Sequence, residues 1–430
     1  MKTPRRPPAI ARALVHRNYR LFFSGQSVSL IGTWITRVAT SWLVYRLTGS
    51  ALLLGVVGFA GQIPTLFLTP LTGVLIDRSD RHRVLVITQT LSMFQSAALA
   101  ALALAGVITV GEIIALQLFQ GVVNAFDMPA RQAFVVKMVE DRADLPNAIA
   151  LNSMMVNGAR VIGPSIGGFL IAGLGEGWCF LVDAVSYAAV IVSLLAMRVT
   201  REAPHPRETH ILDELVEGFQ YVSGFVPVRA VLLVLATMAV MGMPYTVLMP
   251  AMARAVLHGG PHTYGILMTA AGVGAVGGAL YLASRTSVVG LERVIAGAAG
   301  VFGTGLIAFS QSRLLWLSLA ILPVAGAGMM ITMASVNTFV QTVVEERLRG
   351  RVMAFYAMSF TGMVPLGSLL SGFIAEHLGA PRAILLGGTA CVLGSAAFTF
   401  WIPRFRALVN PIYIARGIVP EPGQVGPRGH

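Results

Sequence analysis

This sequence is poor in charge. Asp, Glu, Lys and Arg make up 12% of its 430 residues, whereas a soluble domain carries about 25%. Its two cysteines, Cys179 and Cys391, lie far apart in apolar segments, so we expect neither a disulfide framework nor a cysteine-based metal site. The sequence also lacks a phosphate-binding loop, a metal-ligand cluster and a nucleophile–base arrangement. These absences argue against a nucleotide-driven pump and against an enzyme, and we expect no metal or other cofactor.

Apolar runs fill most of the chain instead, and hydrophobic residues make up 55% of it. A helix of about 20 apolar residues crosses a bilayer, and the sequence contains twelve such runs. The predicted spans are Leu21–Tyr45, Leu53–Ile76, Val84–Val107, Ile113–Phe134, Ala148–Ala172, Trp178–Met197, Val231–Ala253, Thr263–Ala283, Leu291–Ser310, Leu314–Val340, Val352–Ala375 and Ala383–Trp401. The predicted fold is therefore an all-α membrane protein with twelve transmembrane helices.

The basic residues predict how these spans are oriented. With twelve spans, 25 of the 31 Lys and Arg fall on one side of the membrane and 4 on the other, while Arg37 and Arg160 lie inside spans. Basic residues favour the cytoplasmic side, so both termini are expected there, in a bacterial inner membrane. The net charge of +12 then reflects contact with the lipid surface and not with nucleic acid.

An internal repeat predicts two six-helix bundles. Val139–Arg142 reads VEDR, and Val344–Arg347 reads VEER 205 residues later. Gly163 and Gly168 recur 204 residues later as Gly367 and Gly372. The predicted units are a basic arm (1–20), an N-terminal bundle (21–198), a linker (199–229), a C-terminal bundle (230–402) and a partly disordered tail (403–430). The linker is expected either to carry an amphipathic surface helix or to be a plain connection.

The turn after the second span carries a dense cluster of charge in the stretch GVLIDRSDRHR. It resembles the corresponding turn of the major facilitator superfamily at Gly73, Leu75, Asp77, Arg78, Arg81 and Leu85. Asp80 and His82 depart from the family pattern, which has glycine and lysine there. The resemblance implies two bundles related by an axis along the membrane normal. It also implies that the turn is a cytoplasmic gate, formed by Gly73, Asp77, Arg78 and Arg81. The alternative is a basic turn that only sets topology.

Further segments resemble the enterobactin-exporter and macrolide-efflux branch of that superfamily. They are Asn18–Phe22, Asn124–Gln132, Asn147–Ser153, Gly163–Gly168 and Leu215–Tyr221. Asp127 and Arg131 in the second of them are four residues apart and share a helix face. We assign them to the gate. Gly163, Pro164, Gly167 and Gly168 resemble a motif of exporters that lets a helix approach its neighbour and bend; ordinary tight packing is the alternative.

Ionisable residues within spans are costly, so they are treated as functional candidates. Arg37, Arg160 and Asp183 are the candidates for ion coupling or substrate contact. Arg37 and Asp183 lie at a similar depth, and an ion pair between them is expected. That pair would be a structural clamp or a proton-dependent contact; the alternative is that both face lipid headgroups.

Polar residues of the fourth span add two candidates. Gln117 occupies the position where drug/proton antiporters resembling this chain carry an arginine, so Arg37 or Arg160 would have to replace that charge. Asn124 is a candidate polar contact for substrate. Methionines in the seventh and tenth predicted spans, together with Trp34 and Tyr245, suit an amphiphilic ligand, although such residues more often pack in the core or face lipid.

The combined prediction is a monomeric secondary active transporter that exports a small amphiphilic compound (a drug, macrolide or siderophore) by proton antiport. An uptake porter of the same fold is the nearest alternative. A membrane sensor or scaffold without transport is another.

Overall fold

The computed structural model describes residues 9–77, 79–198, 211–285 and 287–419, and the regular structure within those ranges is entirely helical. The helices of the N-terminal half are α1 Arg17–Thr48, α2 Ala51–Asp77, α3 Arg81–Leu104, α4 Val110–Met138, α5 Leu145–Leu174 and α6 Glu176–Leu195. Those that follow are α7 Ile211–Gly224, α8 Val226–Thr237, α9 Tyr245–Ala251, α10 Pro261–Ala283, α11 Leu291–Gln311, α12 Leu315–Val343, α13 Glu346–Ala357, α14 Val364–Leu378 and α15 Ala380–Ala415.

Eleven segments of the described chain are long and apolar enough to cross a membrane. Two of them contain short π-helical turns, so α8 and α9 belong to the span Val226–Val256, and α13 and α14 to the span Glu346–Leu378. The twelfth span is α1, whose 32 residues extend about 48 Å at 1.5 Å per residue. Its mean hydropathy is lower than that of the other spans because it contains polar residues, such as Gln26, Ser29 and Thr40, which are buried against neighbouring helices. The twelve predicted spans are confirmed.

The spans form two bundles with the same internal arrangement. In the N-terminal half α1 packs on α5 and α6, and α3 packs on α4 and α6; in the C-terminal half α11 packs on α12 and α15. The repeat is visible in the glycine contacts. A Cβ on Gly163 of α5 would meet Trp34 of α1, and a Cβ on Gly367 of α14 would meet Val240 of the seventh span. The two halves therefore repeat the same crossing.

Contacts between the halves concentrate at one end of the molecule. We call the end where α1 begins and α6 ends the proximal face, and the end with the α1–α2 turn the distal face. The halves meet where α5 crosses α10 and where α2 crosses α14. In contrast, the short elements of the proximal face in the described ranges, Ala9–Val15, Arg142–Asp144, α7 and α13, make their substantial contacts within their own half. The bundles are thus joined distally.

The linker helix α7 belongs to the C-terminal half. Glu217 forms ion pairs with Arg347, at 2.9 Å, and with Arg351, both on α13. Gly218 lies against Phe355 of the same helix. The amphipathic linker helix therefore docks on the C-terminal bundle by charge and by close packing.

Both chain ends differ from the predicted boundaries. The arm continues into the N-terminal bundle: the Tyr19 hydroxyl donates to the Ala148 carbonyl at 2.7 Å, and Ala13 N donates to Asn147 Oδ1 at 2.9 Å. In the tail, α15 continues past residue 402 to Ala415. Partial disorder was expected because the tail is rich in Pro, Gly and Arg. The helix nevertheless continues to Ala415 through Pro403 and Pro411, because the apolar residues Phe405, Val409 and Tyr413 on one of its faces are buried.

Arg416 fastens the end of this helix to another one. Its guanidinium donates to the carbonyl of Thr342 and to those of Val343 and Val344 at 3.2 and 3.1 Å. The last carbonyls of α12 have no partner within their own helix, so Arg416 caps that helix end with a positive charge.

Candidate functional site

Asp127 anchors a buried polar cluster between α3 and α4. Its Oδ1 accepts hydrogen bonds from Thr88 Oγ1 at 2.9 Å and from Gln89 Nε2 at 2.7 Å. Its Oδ2 pairs with Arg131, one turn further along α4. The side chain of Asp127 is only 3% exposed and that of Arg131 is 24% exposed, so the cluster connects the bundle interior to its proximal surface.

The turn between α2 and α3 is described in part. Arg78 and the surroundings of Gly73 and Asp77 lie outside the described residues, so their gate role stays a prediction. Arg81 is the first residue of α3.

The two positions of that turn that depart from the family pattern, Asp80 and His82, make a helix cap and a contact with α6. Asp80 is the N-cap of α3 and accepts hydrogen bonds from the backbone N–H groups of His82 and Arg83 at 3.0 and 3.3 Å. The His82 ring contacts the carbonyl of Leu194 at the end of α6, at 2.8 Å. An aspartate at the N-cap stabilises the start of a helix. This capping role explains why Asp80 can stand where the family pattern has glycine.

Asp183 lies in the centre of the N-terminal bundle and is 1% exposed. Ser96 of α3 donates to its Oδ2 at 2.8 Å, and Ser186 lies 3.4 Å from its Oδ1. Gly32 of α1 faces it so closely that an added Cβ would lie 2.7 Å from Oδ1. The carboxylate is therefore enclosed by hydroxyl groups and a glycine.

The expected ion pair between Arg37 and Asp183 is not formed. Successive helix residues are about 100° apart, so Arg37, five positions after Gly32, points about 140° away from the face that meets Asp183. The depth estimate behind the expectation took no account of this rotation about the helix axis.

Arg37 shares an aromatic ring with Arg160 instead. The Arg37 Cζ lies 4.5 Å from the centroid of the Trp34 ring, and the Arg160 Cζ lies 5.7 Å from it. The Arg37 side chain is exposed on the protein surface although it lies midway along a span. The Nη1 of Arg160 is buried and has no hydrogen-bond partner. The structure therefore places two arginines of the N-terminal half beside one indole, facing accessible space.

Gln117 and Asn124 do not belong to this arginine group. Gln117 lies against α2, and a Cβ on Gly61 would come within 3.1 Å of its Oε1. Asn124 accepts a hydrogen bond from Gln120 at 3.2 Å, and Gln120 also donates to Ser92 at 3.0 Å. Gln117 thus packs toward α2, whereas Asn124 belongs to a hydrogen-bonded chain that joins α4 to α3 through Gln120 and Ser92.

The Gly-Pro motif of α5 serves two opposite faces. Gly163 and Gly167 lie against α1, where added Cβ atoms would meet Trp34 and Ile35. The carbonyl of Pro164 and the Cα of Gly168 lie against α10 of the other half. Helix α5 thus packs tightly against α1 of its own bundle and against α10 of the other bundle.

The second crossing between the halves has a charged contact that the first lacks. At the α2–α14 crossing, a Cβ on Gly372 would lie 2.9 Å from the Cα of Gly55. One turn further, Glu376 accepts hydrogen bonds from the Ser50 hydroxyl at 2.9 Å and from Leu52 N at 3.0 Å. The C-terminal half thus supplies a carboxylate that caps the start of α2.

Replacing Glu376 by alanine is expected to loosen the distal contact. Two hydrogen bonds and a helix-terminus charge are lost, worth together about 1 kcal/mol at this exposed site, or about a fivefold shift toward states with the distal ends apart. The distance between spin labels at Leu174 and Leu314, both exposed and distal, measures that shift.

The control for this change is Glu112, which forms a capping box with Thr109 within the N-terminal half. Glu112→Ala removes a similar cap without touching the contact between halves, so the label distances should stay as in the parent. Equal distance distributions for Glu376→Ala and the parent would contradict the role given to Glu376.

A family model described as "Transmembrane secretion effector" matches residues 11–412. The chain belongs to this family. It is a multi-pass membrane transporter of the major facilitator superfamily, which confirms the family resemblance noted at the turn after the second span. Within the described ranges, no three His, Cys, Asp or Glu side chains group so as to hold a metal ion.

Two curated relatives align with most of this chain. It is 27% identical over 387 residues to the "Staphyloferrin A transporter" of Staphylococcus aureus (strain NCTC 8325 / PS 47), covering 89% of this chain and 95% of that one. It is 28% identical to the "Multidrug efflux pump Tap" of Mycolicibacterium fortuitum, over 88% and 93% of the two chains. A bacterial homologue of the iron transporter ferroportin matches in structure, with a TM-score of 0.69 at 14% identity, covering 90% of this chain and 98% of that one. That likeness bears on the fold alone.

Proposed function

We propose that this transporter exports a small amphiphilic compound from a bacterial cell across the inner membrane, by alternating access driven by proton antiport. The observation that carries the proposal is the packing of the two halves, which are joined at the distal face while the proximal elements of the described chain keep to their own half. Two bundles joined at one end are suited to rock about that contact. The names of the two relatives, a multidrug efflux pump and a siderophore transporter, support export of a drug or siderophore.

In this proposal the proximal face is cytoplasmic. The support is the distribution of basic residues, 25 on the terminal side of the spans against 4 on the other. The site is then open to the cytoplasm in this structure. The protein acts as a monomer, and Gly73, Asp77, Arg78 and Arg81 gate the cytoplasmic side together with Asp127 and Arg131. The pairing of Asp127 with Arg131 supports their part in this gate, because both lie on the same proximal stretch of α4.

Asp183 is the proposed proton site. Four carboxylates are buried in the described chain, and three of them pair with an arginine: Asp127 with Arg131, Glu176 with Arg46, and Glu292 with Arg406. Asp183 has hydroxyl partners and no ion pair within the described ranges. A buried carboxylate without a cation is costly when ionised, so its charge is the one that a proton most readily cancels.

The direct test is efflux from a host that lacks its own pumps, against a panel of drugs, macrolides and siderophores. Cells carrying the protein should retain less of at least one compound than cells carrying an empty vector. A protonophore should remove that difference, because it collapses the proton gradient. Greater accumulation in the carrying cells would indicate uptake instead. Binding without flux in proteoliposomes would indicate a sensor or scaffold.

A further inference from the structure

We infer that the Arg37–Trp34–Arg160 group is a binding site for an organic anion, namely a ligand with two or more carboxylates. The inference rests on the proposed function, since it names the substrate class for that transport site. It goes beyond an unspecified amphiphile because it predicts the sign of the ligand's charge and the groups that carry it.

The first step is geometric. Arg37 comes from α1 and Arg160 from α5, and both guanidinium carbons lie within 6 Å of the ring centroid of Trp34. The Gly163–Trp34 contact, where a Cβ added to Gly163 would clash with the Cβ of Trp34, holds α1 and α5 close together. Because both guanidinium carbons lie near the same ring centroid, at 4.5 and 5.7 Å, they are at most about 10 Å apart, and one ligand with two anionic groups can reach both.

The second step concerns charge balance. No ion pair links Arg37 or Arg160 to any carboxylate in the described ranges, and the Nη1 of Arg160 has no hydrogen-bond partner. The three buried carboxylates of the same half have other partners: Asp127 pairs with Arg131, Glu176 pairs with Arg46, and Asp183 accepts from serine hydroxyls. Among the described residues, the two positive charges therefore have no protein counter-charge.

The third step is energetic. An arginine at the centre of a membrane span is costly to insert, and such residues are kept where they pair or face a water-filled cavity. The indole face offsets only part of that cost through cation–π attraction. A ligand that brings negative charge supplies the missing partner, and a guanidinium binds a carboxylate through two parallel hydrogen bonds.

The surroundings favour an organic anion over a bare inorganic one. The Trp34 ring lies against both guanidinium groups, and the Tyr187 hydroxyl lies 3.4 Å from Thr33 Oγ1, one residue before Trp34. From the C-terminal half, the Tyr264 ring stacks on Trp42 of α1, with ring centroids 6.4 Å apart. Aromatic rings from both halves along α1, together with the two cations, suit a ligand with an apolar body and anionic ends.

The test is ligand binding to the purified full-length transporter in nanodiscs. The probes are citrate, isophthalate, the dimethyl ester of isophthalate, inorganic phosphate and the cation ethidium. Isophthalate and citrate should bind, whereas the uncharged ester, which keeps the same ring, should not. Arg37→Gln and Arg160→Gln should each weaken isophthalate binding about 10- to 100-fold, the value of one charge-assisted contact. Arg382→Gln, an exposed arginine at the distal start of α15, is the matched control and should bind as the parent does.

Thermal unfolding separates loss of a site from loss of the fold. Removing one of two neighbouring like charges should leave the melting temperature of the ligand-free protein unchanged or raise it. A marked fall for both glutamine variants would show that the arginines are structural and would overturn the inference.

Three binding results would also overturn it: equal binding of the ester, preferential binding of ethidium, or no saturable binding of either carboxylate. Phosphate binding as tight as isophthalate binding would refute the carboxylate assignment. Carboxylate binding without efflux would instead count against export and leave the site intact.

Discussion

Replacing Gly168 by leucine is expected to abolish transport. A Cβ at this position would lie 2.8 Å from the carbonyl oxygen of Pro261 and 3.1 Å from the Cα of Gly265. Both atoms are backbone of the other half, so they cannot move aside as a flexible side chain would. Overpacking of this kind costs about 1–3 kcal/mol, and here the halves can avoid it by separating at the distal face. The state joined at that face would then lose most of its population.

Two measurements check this prediction. Efflux should fall to the level of an empty vector, and the distance between spin labels at Leu174 and Leu314 should lengthen. Gly173→Leu is the matched control on the same helix, because a Cβ there would meet nothing within 4 Å; it should transport normally. Normal efflux by Gly168→Leu would show that the α5–α10 crossing is not part of the transport cycle. Gly372→Leu at the repeated crossing should behave like Gly168→Leu.

The second large effect is expected from Asp183→Asn. Asparagine resembles the protonated carboxyl in size and stays neutral at every pH, so the variant can neither bind nor release the coupling proton. Efflux driven by a pH gradient should fall to the rate that the parent shows with a protonophore. Substrate counterflow, which requires no net proton movement, should persist at a rate near that of the parent. Both rates can be measured in proteoliposomes loaded with the compound found by the efflux panel.

Glu176→Gln provides the comparison for Asp183. It removes another buried carboxylate from the same helix α6, but one that pairs with Arg46 at 2.7 Å. Gradient-driven efflux should continue in this variant. If Asp183→Asn keeps gradient-driven efflux, Asp183 is not the coupling site. If it loses counterflow as well, the carboxylate has a structural role and not a coupling one.

The two crossings between the halves are not equivalent, and this affects how the distal face opens. Glu376 lies 204 residues after Ala172, the same offset that relates Gly168 to Gly372. The α2–α14 crossing therefore has a carboxylate that caps α2, and the corresponding position of the α5–α10 crossing has a methyl group. We expect α5 and α10 to separate before α2 and α14 do.

Local patterns in the sequence were enough to predict the spans and one pair of charges. Hydropathy gave the helices because each span must be apolar over about 20 residues. The contact between Asp127 and Arg131 followed from their spacing of four residues on one helix. Gly163 and Gly367 occupy equivalent positions of the internal repeat. Their similar close packing could be anticipated because duplicated halves keep the same helix crossings.

Contacts between distant helices were not predictable in the same way. The Arg37–Asp183 prediction compared depths in the bilayer, but whether two side chains meet also depends on how each helix is rotated, which a single sequence leaves open. The glycine partners Gly55 and Gly265 lie in other helices, and no local signal marks them as partners. No local pattern marks Glu376 as a contact between the halves, because its partners lie at the start of α2, more than 300 residues away in the chain.

The cap that Arg416 places on α12 has a practical consequence for handling the protein. Hydropathy alone suggests trimming the chain just after Trp401 to shorten it for crystallisation. Such a truncation would delete the guanidinium that covers the carbonyls of Thr342, Val343 and Val344. It would also remove the buried side chains of Phe405 and Val409 and so expose Phe339 of α12, whose ring packs against Phe405. Affinity tags and fluorescent fusions are better joined after residue 419, where they leave the contacts between Arg416 and α12 in place.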